Sequence, residues 1–215
     1  MGATFHFPDA GGQLGPLLPR LRGLLTTAAD EVALRLPLDR LDVVTYASAA
    51  VIPELGVNGF AETGHLLLMK VDPANPHLAE HLATAVPALF AHEVHHCIRN
   101  RGVGYGTTLG AALVSEGLAC HFEAECWGRV PFYARALDRG QIDALRDACA
   151  AELRQPWYDH ASWFFGNLQR GLPRHAGYTL GHALVGDYLA RQGCGASAAV
   201  DVPAEDILQT WFPAS

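Results

Sequence analysis

The segment Ala91-His92-Glu93-Val94-His95-His96-Cys97 sets two histidines four residues apart, with a glutamate directly after the first. On a helix, residues i and i+4 lie one above the other, so His92 and His96 would turn both imidazoles toward one ion. Zinc accepts neutral histidine nitrogens at about 2.0–2.1 Å, and a catalytic site uses three protein ligands with a fourth position left for water. Glu93, on the flank of the same face, could take a proton from that water. The chemistry indicated is hydrolysis. Composition alone would place H-E-x-x-H in roughly 3% of such chains, and a helix with merely exposed histidines is the competing reading, so a further ligand has to be sought.

Glu116 supplies it. It is the one carboxylate in the apolar run Leu109-Gly-Ala-Ala-Leu-Val-Ser-Glu-Gly-Leu-Ala119. A buried carboxylate without a partner is costly, and coordination to a cation would neutralise it. The interval from His96 to Glu116 is 116 − 96 = 20 residues, enough for a turn through Gly102, Gly104 and Gly106 and a returning helix. The expected metal ligands are His92, His96 and Glu116, holding one Zn2+ per chain, with Glu93 as general base. His95 points about 100° away from His92 on the helix and is expected to pack or face solvent.

These side chains need two helices to carry them. Helical patterning covers His77 to Asn100 and Thr108 to Trp127, and continues at Pro131 to Ala136, Gln141 to Arg154, Ser162 to Arg170, Tyr178 to Arg191 and Ala204 to Trp211. Before Pro76 the pattern is mixed. Thr4 to Phe7, Leu41 to Val51 and Gly64 to Val71 read as strands, and Leu14 to Leu36 as a helix that Pro37 ends. The fold class is therefore α+β, with a sheet-bearing lobe over about 1–100 and a helical lobe over about 101–215 of a single domain.

The balance of 50% hydrophobic and 17% charged residues is that of a globular protein able to bury a core without metal staples. A net charge of −7, with Lys70 the single lysine and the arginines scattered, makes nucleic acid and anionic membranes poor partners. The N-terminus has no signal-peptide pattern, and no long apolar run suggests a membrane span, so a cytoplasmic location is expected. Five cysteines without a C-x-x-C pair read as small buried hydrophobes in a reducing compartment. The Gly102, Gly104 and Gly106 loop lacks the Lys-Ser/Thr ending of a phosphate cradle and reads as a turn.

The chain resembles the gluzincin clan of zinc peptidases, in which a glutamate on the helix after H-E-x-x-H is the third ligand. More narrowly, it is similar to a bacterial family of predicted zinc-dependent proteases catalogued as a domain of unknown function. The matching segments are Val51-Ile-Pro-Glu-Leu-Gly-Val-Asn-Gly59, Val71-Asp-Pro73, His92-Glu-Val-His-His-Cys-Ile-Arg99, Ala112-Leu-Val-Ser-Glu-Gly-Leu-Ala119, His121-Phe-Glu123 and Ala176-Gly-Tyr-Thr-Leu-Gly181. The resemblance implies a minimal zincin fold with a small mixed sheet, and the same three ligands and base. It also implies that Gly64 to Val71 is the edge strand that pairs with an extended peptide. One departure stands out: thermolysin-like relatives carry an acidic residue four positions after the glutamate ligand, where this chain has Cys120. Glu123, one turn on, or a backbone carbonyl would then have to orient a ligand histidine. His121 and Glu123 could equally be a surface pair.

A peptidase also needs a donor where negative charge develops in the transition state. Tyr178, His175 and His182 lie at the start of a late helix, with Tyr178 and His182 one turn apart. Since gluzincins use a tyrosine or histidine from this region, the resemblance favours Tyr178 as catalytic donor and His175 second; the alternative is that Tyr178 and His182 pack in the core. The function expected is a zinc-dependent hydrolase, a peptidase acting on a peptide or protein. The rivals are a zinc amidase or esterase acting on a small molecule, and a non-catalytic regulatory or chaperone-like zinc protein. An intact Glu93 argues against the last, because structural zinc sites close with four ligands and have no use for a base.

Overall fold

The computed structural model describes residues 2–213. After Arg101 the chain divides into two compact units.

The first unit is built on a four-stranded mixed sheet. Strands β1 (Thr4–His6), β2 (Asp42–Ala47), β3 (Val57–Thr63) and β4 (Leu66–Val71) lie in the order β1-β2-β4-β3. The pairs β1–β2 and β2–β4 are parallel, with Val43 opposite Leu67 and Thr45 opposite Met69. β3 runs antiparallel along β4, with Gly59 opposite Met69 and a bulge between Ala61 and Thr63. Alternation puts Leu67, Met69 and Val71 of β4 in the core, as period-two geometry requires. Helix α1 (Leu18–Ala33) buries Leu21, Leu25, Ala28 and Val32, a stripe at helical spacing, and carries Pro19 in its first turn, where a missing N–H costs nothing. Helix α2 (Leu78–Arg101) packs on α1, β3 and β4. Every residue from Leu89 to Arg99 is buried, so this stretch is shielded all round rather than on one face. The Arg101 guanidinium donates to the Gly64 carbonyl at 2.6 Å and ties the end of α2 to the β3–β4 turn.

The second unit is helical. Helix α3 (Leu109–Trp127) is capped by Thr108, whose hydroxyl accepts from the Ala111 amide, and it ends at Gly128 in the left-handed conformation. It is followed by a 3-10 turn (Phe132–Arg135), α4 (Arg139–Cys149), α5 (His160–Phe165), a second 3-10 turn (Leu168–Arg170), α6 (Ala176–Gln192) and α7 (Ala204–Leu208). α3 and α6 form the central pair. The Thr179 hydroxyl of α6 donates to the Tyr133 carbonyl and accepts from the Ala136 amide, which seats the first 3-10 turn on α6.

Four departures from the sequence expectations have physical causes. β3 was not expected as a strand, because Asn58 and Gly59 have low strand propensity and the segment lacks clean alternation. Its presence also corrects the expectation for Gly64 to Val71: β4 is flanked by β2 and β3 and is not an edge. Among the described residues the sheet ends on that side at β3. Among the helices, the run expected over Ser162 to Arg170 is broken by Gly166 at φ +95°, where a side chain would meet the Arg174 backbone nitrogen at 2.9 Å. The helix expected over Gln141 to Arg154 starts earlier, on a capping box between Asp138 and Gln141, and ends at Cys149.

Candidate active site

In the first unit α2 carries His92, Glu93 and His96. The two histidine Nε2 atoms face each other at 3.1 Å, with ring centroids 4.8 Å apart and planes at 75°. At zinc–nitrogen distances of about 2.0–2.1 Å, that separation subtends about 100° at an ion, close to tetrahedral, so the pair fits one zinc. His92, Glu93 and His96 keep only 5%, 7% and 6% of their surface and His95 keeps none, so all four are buried and His95 does not face solvent. Glu93 lies against the edge strand. A Cβ on Gly59 would stand 2.4 Å from Glu93 Cγ and 2.9 Å from Oε1, so the absence of a side chain there makes room for the carboxylate. The next turn is closed by Cys97, whose thiol is pushed up to about 12 by burial and then by the nearby Glu93 charge. It is an inert, neutral thiol.

In the second unit Glu116 sits mid-helix on α3, buried to 7% exposure, and its Oε1 accepts a hydrogen bond from the Tyr105 hydroxyl at 2.7 Å. Burial and then the Glu116 carboxylate hold the Tyr105 phenol well above its usual value. Tyr158 is raised to about 12 by burial and by Glu116. His160, whose Nδ1 is hydrogen-bonded with the Tyr158 hydroxyl at 2.9 Å, is lowered by burial, with the charges of Glu116 and Asp159 opposing. Tyr105, Tyr158 and His160 thus all lie within electrostatic reach of Glu116. None of Tyr105, Tyr158 and His160 was singled out from the sequence. Tyr105 in Gly104-Tyr-Gly106 carried the one available signal, an aromatic between two glycines.

Glu123, one turn beyond Cys120 and within 4.8 Å of its thiol, accepts from the Tyr133 hydroxyl at 2.5 Å and is buried. His121 instead sends Nε2 to the His182 carbonyl at 2.8 Å and stacks on the His182 ring at 4.0 Å. The surface pair considered for His121 and Glu123 therefore does not form. Tyr178 packs its ring against Tyr133 and Phe164, at 4.8 and 4.9 Å, with His175 at 6.0 Å. It also lies close enough to Tyr105 and Tyr133 to influence both phenols. His175 begins α6 in the left-handed conformation, φ 69°, with both ring nitrogens shielded from solvent beside Phe132 and Tyr133. Although Tyr178 and His182 share a helix face, their side chains go to different partners, Tyr178 to the aromatic cluster and His182 to His121.

A mixed α+β chain with an H-E-x-x-H pair on a buried helix and a buried glutamate downstream is the setting in which the comparison with known proteins falls. The chain belongs to the family described as Predicted Zn-dependent protease (DUF2268), which matches residues 31–209. No curated protein and no solved structure matches it. Among the described residues, no helix is long and apolar enough to cross a membrane.

Proposed function

We propose that this protein is a zinc-dependent peptidase of the gluzincin kind, on a minimal zincin fold, with His92, His96 and Glu116 as metal ligands and Glu93 as general base. The observation that carries the proposal is the pair of histidine Nε2 atoms facing each other at 3.1 Å on the helix that also bears Glu93. The family's description supports zinc and proteolysis. Glu116 is put forward as third ligand because it is a carboxylate buried mid-helix that accepts from the Tyr105 hydroxyl, and coordination to a cation offsets the cost of such burial.

Zinc, when bound, supplies Lewis acidity that polarises the scissile carbonyl and makes water a better nucleophile. Glu93 accepts a proton from the attacking water and returns it to the departing amine. A peptide lies extended along β3, whose outer side carries no strand among the described residues and whose Phe60 is half exposed. The open strand edge favours a peptide over a small-molecule amide or ester. Tyr178 donates to the developing oxyanion, and the shielding of both His175 nitrogens favours Tyr178 over His175. The free thiols suit a reducing compartment, in keeping with a cytoplasmic protein.

The test is metal analysis with amide-bond cleavage of a mixed peptide library by wild type and Glu93→Gln. One zinc per chain in both, with turnover lowered by about 10²-fold or more in the variant, is expected. Cleavage at the wild-type rate in Glu93→Gln, or purified protein that takes up no zinc, would overturn the proposal.

A further inference from the structure

We infer that Tyr105 is a positioning residue: its hydroxyl sets the orientation of the Glu116 carboxylate and thereby the zinc affinity of the site. The inference rests on Glu116 being a ligand, as proposed above. The terminal torsion of a glutamate is broad and roughly two-fold, so an unrestrained carboxylate samples many orientations. Here one oxygen is held by the Tyr105 hydroxyl at 2.7 Å, which fixes the carboxylate plane and occupies one lone-pair direction. A carboxylate held in this way would meet an ion in one fixed orientation.

The loop is built to deliver this contact. Tyr105 stands between Gly104 and Gly106, at φ +78° and +85°, a backbone path that side-chain-bearing residues rarely take. A Cβ on Gly106 would lie 2.4 Å from Ala111 Cβ, so the loop rests directly on the first turn of α3. The Ser115 hydroxyl donates to the Tyr105 carbonyl at 3.1 Å. Tyr105 is therefore tied twice to adjacent α3 residues, by its backbone to Ser115 and by its hydroxyl to Glu116. A phenol that only filled space would need neither the second tie nor the paired glycines.

Tyr105→Phe keeps the ring and removes the hydroxyl. Zinc affinity, measured by chelator competition, is expected to fall by about 10- to 100-fold, the usual cost of losing a group that orients a metal ligand. The visible absorption bands of the Co2+-loaded protein should shift, while the metal-free protein melts within a few degrees of wild type. Glu116→Ala, measured in parallel, should lose more affinity than Tyr105→Phe. Wild-type affinity and an unshifted cobalt spectrum in Tyr105→Phe, with Glu116→Ala impaired, would overturn the inference and leave the ligand assignment standing. Unchanged affinity in Glu116→Ala would overturn the assignment itself. Should Tyr105→Phe fail to fold, Ser115→Ala decides: it removes the hydroxyl that holds the Tyr105 carbonyl, and a drop in affinity of about 2- to 10-fold supports the inference, whereas no drop sinks it.

Discussion

Gly117 of α3 and Gly181 of α6 meet backbone to backbone: a Cβ on Gly117 would lie 2.2 Å from the Gly181 carbonyl oxygen, and a Cβ on Gly181 2.2 Å from the Leu113 carbonyl oxygen. Neither atom belongs to a flexible side chain, so a methyl group at either position has to push the helices apart. Gly181→Ala is expected to cost about 1–3 kcal/mol, as overpacking does, even though alanine is the better helix former. Gly23→Ala, on the open side of α1 with nothing within 4 Å, should instead stabilise by about 0.4–1 kcal/mol. Urea unfolding of both variants checks the contrast, and equal effects would mean the α3–α6 approach is looser than described.

Gly59 stands in the same relation to Glu93, the proposed general base. Gly59→Ala places a methyl group where Glu93 Cγ now lies and must turn the carboxylate away from the edge strand. Peptide cleavage should fall by about 10²-fold or more, as a misplaced catalytic group does, with zinc content held. Loss of zinc together with activity would show that the helix, not Glu93 alone, had moved.

Tyr178→Phe retains the packing against Tyr133 and Phe164 and deletes one donor. With the hydroxyl acting in the transition state, kcat should drop by about 10²- to 10³-fold at unchanged zinc affinity. A kcat near wild type would return Tyr178 to a packing role and make Tyr158 and His160, which also face Glu116, the next variants to assay.

The stacked His121 and His182 rings predict a stability that depends on pH. His182 is lowered from 6.5 to about 4, by burial first and then by His121, and His121 is lowered by burial despite its bond to the His182 carbonyl. Both are harder to protonate in the folded state, so below about pH 6.5 the unfolded chain binds more protons than the folded one. Their contribution is complete above about pH 6.5 and is lost as pH falls toward 4. The melting temperature should decline across that window. His182→Gln should flatten the decline relative to wild type, and parallel curves for the two proteins would refute the assignment to this pair.

Much of the chain could be read from local pattern. The H-E-x-x-H helix, the α3 helix around Glu116 and the strands β2 and β4 follow from periodicity and from proline and glycine punctuation, which act within a few residues. So does the pairing of His92 with His96, since a helix turn sets it. β3 could not be read this way, because its strand state comes from pairing with β4 and packing on α2, which outweigh the weak propensity of Asn58 and Gly59. Which strand forms the edge was likewise hidden, because strand order depends on contacts between segments distant in sequence. The same holds for the surroundings of Glu116. Tyr105, Tyr158 and His160 come from a loop and a segment some forty residues downstream, and only the packed second unit turns them toward one carboxylate. His182 shows the limit most plainly: helix geometry puts it on the face of Tyr178, yet the backbone contact at Gly117 and Gly181 brings α3 close enough for its ring to stack on His121 instead.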